Sequence, residues 1–200
     1  MVEKPAGFPA VPGRQPELKD SIQSRVRDAF EEADGSLTCH RLDIETSGLM
    51  VLGLSRDAHR FLSRQFEERN VGKRYVAVLD GRVEGESGTV DLPLILDWPN
   101  RPHQKVDHED GKPSRTAWTV VARTETTTRF LLEPLTGRTH QLRVHSATSR
   151  DEGGLGCPIL GDSLYGDPSS ADRLLLHADT LSFPEPGTGR PLEFHSPAPF

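Results

Sequence analysis

CHRLDIETSGLMVL, residues 39–52, sets two opposite charges hard against an apolar run. Leu49, Met50, Val51 and Leu52 read as a buried strand. Alternation around Leu42 puts Arg41 and Asp43 on one face of the extended segment that leads into it. Thr46-Ser47-Gly48 breaks the pattern just before the run. A carboxylate and a guanidinium at the mouth of a core strand allow three readings: a structural ion pair, a turn, or a reactive group within reach of a substrate.

Working outward, the segment before this stretch opens with proline and glycine breakers through residue 18. Asp20 or Ser21 then suits the cap of a helix whose inward residues are Ile22, Val26, Ala29 and Phe30. Asp34-Gly35 marks its end. On the other side, Ser55 caps a second helix with Ala58, Phe61, Leu62 and Phe66 as its inward stripe. Arg56, Arg60 and Arg64 recur on one ridge of that helix and read as a solvated face. Lys73-Arg74-Tyr75 leads into a short strand, Val76–Leu79. Residues 97–115, DWPNRPHQKVDHEDGKPSR, read as a long polar loop, a type that is usually functional or mobile. TAWTVVAR and TRFLLEPL pair as a hairpin, GRTHQLRVHSATS follows as a helix, and LLLHADTLSF is a strand before a Pro/Gly-rich tail. Strands and helices mixed without regular βαβ alternation predict an α+β fold on a largely antiparallel sheet.

Two hundred residues at 34% hydrophobic content suit one globular domain, or two closely joined lobes. No apolar run approaches the length that crosses a bilayer, and the N-terminal segment lacks the pattern of a signal peptide. Cys39 and Cys157, without a CxxC, indicate neither a disulfide framework nor structural zinc. The expectation is a monomer in the reducing cytoplasm, with no membrane partner. The net charge of −6 is unevenly spread: residues 1–150 hold 22 basic and 22 acidic side chains, residues 151–200 hold 2 and 8. A local basic surface therefore survives the acidic total. GxGxxG, P-loop, HExxH and GxSxG patterns are all missing, which removes the nucleotide, zinc-protease and esterase readings.

What remains is a set of single polar residues inside segments that otherwise read as core. Asp43, Tyr75 and Arg143 are the three. A lone buried charge costs several kcal/mol, so these groups require partners. Asp43 with Arg143 is a natural pair. From spacing alone a structural salt bridge outranks a catalytic carboxylate, and Tyr75 alone is more often core than stacking platform.

Read together, the motifs change that balance. HRLDIETSGLMV closely resembles the HRLDxxTSGLL signature of the RluA-type pseudouridine synthases. The resemblance continues, in the family's order, through KPAGFPAVPGR, RQFEERNVGKRYVAVLDG, DLPLILDWPNRPHQK, PLTGRTHQLRVH, GCPILGDSLYG and LLLHADTLSF. It implies a pseudouridine synthase catalytic fold, a mixed and largely antiparallel sheet flanked by helices and loops around a central RNA-binding cleft. It also implies a single catalytic domain over residues 1–200 without an appended RNA-binding domain. Relatives carry a strand ending just before the KPAG block, so the N-terminal strand is expected to be incomplete here.

The same resemblance implies roles. Asp43 would be the catalytic carboxylate, Tyr75 the ring packed on the uracil, and Arg143 the basic partner of Asp43. Arg41 would enter the RNA stack as the base leaves, and Leu142 would wall the base pocket. Arg101, Lys105, Arg138 and His140 complete the expected substrate contacts, with Trp98 available for stacking. The reaction breaks the C1′–N1 bond of a uridine and rejoins the rotated base through C5, so no cofactor and no metal is expected. The expected partner is structured RNA, tRNA and/or ribosomal RNA stem-loops. Within the family the DWPNRPHQK loop looks most like that of the member acting on both tRNA anticodon stem-loops and 23S rRNA. Rival readings are an inactive RNA-binding relative or RNA chaperone, and a glycosidase using Glu45 as a second carboxyl.

Overall fold

A computed structural model describes residues 1–200. In chain order the elements are β1 (Val2–Lys4), α1 (Ile22–Ala29), β2 (Ser47–Met50), α2 (Arg56–Glu67), β3 (Gly72–Asp80), β4 (Ser87–Asp91) and β5 (Leu94–Leu96). There follow β6 (Gln104–Val106), β7 (Arg115–Arg123), β8 (Thr127–Pro134), α3 (Gln141–Ala147), β9 (Leu176–Pro184) and β10 (Pro191–His195). The protein is α+β, as the order of elements predicts. The chain forms two compact units, residues 1–73 with 178–199, and residues 74–177 with Phe200. The divisions fall inside β3 and β9.

In the first unit the strand order is β1-β2-β9, with β10 paired to β9. β1 runs antiparallel to β2, Lys4 opposite Gly48. Gly48 has φ +112°, and a side chain there would run into the Ala178 backbone on β9. The Thr-Ser-Gly break in the motif is thus a requirement of strand packing. Leu49, Val51, Leu62, Val71, Leu181 and Phe183 form this unit's core. α1 is capped by Ser21, whose hydroxyl accepts from Ser24 N–H while Ser24 Oγ answers to Ser21 N–H. The helix ends sooner than its apolar spacing predicts. Phe30 is the C-cap with extended backbone, which turns its ring outward to 43% exposure.

In the second unit the order is β3-β8-β7-β4. β7 and β8 form the predicted hairpin, with a register shift between Val120 and Ala122. Ala77, Leu79, Phe130, Leu132, Ile159 and Leu176 lie at the centre of its core, all at most 3% exposed. The polar segment 97–115 is less open than its composition predicts. β6 lies within it and pairs with β5, Leu94 opposite Val106. The supposed Pro/Gly-rich tail likewise contains a strand, β10, in register with β9 from Pro191↔Pro184 to His195↔Thr180.

Candidate active site

The expected site residues divide between the two units. In the first, Leu42 is buried and Arg41 exposed, with Asp43 partly exposed. The Arg41 guanidinium makes no hydrogen bond or ion pair. Two groups, Lys4 and His40, fix the backbone on either side of Asp43. At the end of β1, Lys4 is fully buried, and its ammonium donates to Pro5 O at 2.9 Å, Phe8 O at 2.7 Å and Ile44 O at 2.8 Å. Three carbonyls meet the three N–H bonds of the ammonium, the condition for keeping such a charge out of water. One of them belongs to the residue after Asp43. Upstream, His40 Nε2 accepts the Val51 N–H at 3.1 Å, and its ring stacks on Phe66 at 4.4 Å between centroids. Burial, with the Lys73 charge, pushes the His40 pKa down to about 3, so the imidazole stays neutral and keeps a lone pair for Val51.

Arg56 and Arg60 on α2 pair with Asp34 at 3.0 Å and Asp57 at 3.1 Å, and all four side chains are well exposed. That is the solvated face the sequence suggests, worth little to stability.

The second unit holds the other residues. Tyr75 stands on β3 opposite Leu132 of β8 and packs against the core. α3 carries Leu142 and Arg143, 8% and 2% exposed. Arg143 is bound by a carboxylate that carries no signal in the sequence, Asp162. Its Nε donates to Asp162 Oδ2 at 2.8 Å and its Nη2 to Asp162 Oδ1 at 2.5 Å, a two-pronged bond in a fully buried setting. Asp162 Oδ1 also accepts the N–H groups of Leu164 at 2.9 Å and Tyr165 at 3.0 Å. Burial opposes its ionisation, but Arg143 and the two N–H groups outweigh that and hold its pKa below the usual carboxylate value.

His140 caps α3 in the left-handed region, φ 52° and ψ 17°. A non-glycine residue there stores of order 1 kcal/mol of strain that the surrounding contacts must offset. The turn is held by Gln141, whose Oε1 accepts from Thr136 Oγ1 at 2.7 Å and Arg138 N–H at 3.0 Å. Gln141 Nε2 in turn donates to Arg115 O at 2.9 Å. The Arg138 side chain reaches Pro113 O at 3.2 Å. On the loop before β6, the Arg101 guanidinium lies 4.1 Å above the Trp98 ring, and Trp98 is 65% exposed. Lys105 pairs loosely with Asp107 at 3.6 Å.

This geometry is a set of rigidly mounted polar groups on strand and helix ends. The family model described as RNA pseudouridylate synthase matches residues 1–148. The chain belongs to that family. It is 47% identical over 204 residues to the dual-specificity RNA pseudouridine synthase RluA of Escherichia coli K12, covering 100% of this chain and 89% of the relative. The Yersinia pestis protein of the same name is 46% identical, with 100% and 95% covered. Among solved structures, human RNA pseudouridylate synthase domain containing 1 superposes with a TM-score of 0.75 at 33% identity, over 90% of this chain and 75% of that one. Human RNA pseudouridylate synthase domain containing 4 gives 0.76 at 26% identity, over 98% and 84%. No group of three or more His, Cys, Asp or Glu side chains in this family member could hold a metal ion. No helix is long and apolar enough to cross a membrane.

Proposed function

We propose that this protein is an RNA pseudouridine synthase that isomerises uridine in structured RNA, with tRNA anticodon stem-loops and 23S rRNA as its substrate classes. The observation that carries the reading is full-length similarity at 47% identity to a dual-specificity enzyme of that activity, joined to an intact HRLD motif.

A uridine inside a stacked loop is out of reach of any side chain, so it has to be turned out at a cost of about a few kcal/mol. Arg41, exposed and uncommitted, is free to fill the vacated space and to contact phosphates. Tyr75 offers a ring face to the flipped base. Asp43 acts as a carboxylate, either attacking C1′ or removing a ribose proton. The C1′–N1 bond breaks, the uracil turns, and C5 bonds to C1′ as the Asp43 carboxylate leaves C1′ or returns the ribose proton that it took. The C5 proton is then lost and N1 gains one, so atoms and electrons balance without a co-reactant. Arg143 serves as the charge partner of the reacting carboxylate, and Leu142 as an apolar wall for the base. Arg101, Lys105, Arg138 and His140 contact the RNA outside the reacting nucleotide.

The test is direct. Incubation with uridine-containing tRNA and 23S rRNA fragments, followed by chemical labelling of pseudouridine, is expected to give product with the unsubstituted protein. Asp43→Asn keeps side-chain volume and is expected to fold and bind RNA with unchanged affinity, yet give no detectable product. Normal turnover by Asp43→Asn removes Asp43 from the reaction. No product from the unsubstituted protein on either RNA overturns the function.

A further inference from the structure

Tyr165, in GDSLYG, has no role among the residues assigned above, yet it sits at a crossing of four segments in the second unit. Its hydroxyl accepts the backbone N–H of Gln104 at 2.7 Å and is hydrogen-bonded to His140 Nδ1 at 2.8 Å. Its ring centre lies 5.4 Å from the Arg143 guanidinium carbon. His103 and His140 meet the same ring edge-on, at 5.4 Å and 5.6 Å. Its own N–H donates to Asp162, the carboxylate that holds Arg143. One residue earlier, Leu164 O is bonded to His103 Nε2 at 3.0 Å.

The loop that carries Arg101 and Lys105 is therefore fastened at two consecutive residues, His103 and Gln104, to the segment that carries Asp162. Tyr165 connects that loop to Arg143 in two ways, through its ring face and through the Asp162 bond. We propose that Tyr165 is a positioning residue that couples the seating of RNA on the 97–106 loop to the orientation of Arg143. The proposal rests on the function given above. Its consequence is for specificity: RNA that engages Arg101 gains in turnover at saturation as well as in affinity, because binding energy from a remote contact is spent at the reacting centre.

Tyr165→Phe removes the hydroxyl and keeps the ring, so the fold and the contact over Arg143 survive. The experiment is a double-mutant cycle on single-turnover pseudouridine formation at saturating protein. It uses the unsubstituted chain, Tyr165→Phe, Arg101→Ala and the pair, with a tRNA anticodon stem-loop as probe. Tyr165→Phe removes both hydrogen bonds of the hydroxyl and is expected to lower the saturated rate about tenfold, with RNA affinity changed less than about threefold. In the Arg101→Ala background the same change is expected to cost under about threefold, because the link is already idle. Equal losses in both backgrounds, or no loss in either, overturn the proposal; a structural role alone gives the equal losses. Amide exchange read by mass spectrometry supplies a second measure on the unsubstituted protein. RNA is expected to slow exchange at 162–165 as well as at 103–104, and slowing at 103–104 alone counts against the coupling. Absence of product from the unsubstituted chain is a different result, and it strikes the function itself.

Discussion

Asp162 shows how much one carboxylate can hold. It binds the Arg143 guanidinium with both oxygens and accepts two backbone N–H groups, with no solvent exposure of its side chain. Replacing it by Asn sets an amide N–H₂ against donors that need acceptors and takes a two-pronged carboxylate away from Arg143. Removing one partner of a buried pair costs about 3–5 kcal/mol, so Asp162→Asn is expected to lower the urea midpoint by a corresponding amount at pH 7. The folded pKa of Asp162 lies below its ordinary value of 3.8, so the stability it contributes is complete above that value. It is lost as pH falls through the lower folded value. The difference between the two proteins should therefore persist at pH 5 and close only in strong acid; a difference that vanishes between pH 7 and 5 contradicts the ion pair. The sequence shows that Arg143 needs an acid, because an arginine flanked by Leu142 and Val144 on an apolar helix cannot stay alone. Asp43 is the acid that the sequence offers for it; Asp162 escapes notice as a second one, because it sits in a glycine-bounded turn 19 residues away and looks like loop punctuation.

At the scale of elements, helices were easier to read than strands. Ser21 and Ser55 both cap helices as their spacing predicts, since a cap and an apolar stripe are local signals. β4, β6 and β10 carry glycine, proline or charge and hold together through register with a neighbour, a long-range property that no local window contains. The segment from His40 to β2 stands between these cases: its motif was legible, its mounting was not. His40 ties the start of the motif to Val51 and packs on Phe66 of α2. With a folded pKa of about 3 against an ordinary 6.5, the unfolded chain binds a proton that the folded chain refuses. Stability is then expected to rise with pH from about 3 to 6.5 and to level off above. At pH 5 this single group removes about 1–2 kcal/mol, from about 1.4 kcal/mol for each pH unit below 6.5. His40→Gln, which cannot take up that proton, should flatten the fall in melting temperature between pH 7 and 5, and an unchanged slope would assign the acid sensitivity to other groups.

At the scale of the molecule, the total charge and the proposed partner have the same sign: a net −6 protein and a polyanion. The excess acid lies entirely within the last fifty residues, so attraction has to come from individual cations rather than from a uniform field. Arg41 is exposed and unbonded. Arg101 and Arg138 spend their hydrogen bonds or ring contacts on neutral partners, Trp98 and Pro113 O, and so keep their full charge for phosphate. Lys105 is different, since Asp107 lies 3.6 Å from its ammonium and offsets it. Each phosphate neutralised contributes about −0.7 to −0.9 to the slope of log affinity against log salt. Three full contacts and one partial one predict a slope near −3, a loss of about fiftyfold in affinity between 50 and 200 mM salt. Arg101→Ala should reduce the slope by about one contact's share, whereas Lys105→Ala should change it by clearly less, because a phosphate must displace Asp107 to use that lysine. Titrations of a fluorescent stem-loop at four salt concentrations measure all three slopes. A flat dependence in the unsubstituted protein would mean that recognition rests on stacking and shape, with the loop cations as bystanders; equal changes for Arg101 and Lys105 would mean that the Asp107 pair opens at no cost when RNA arrives.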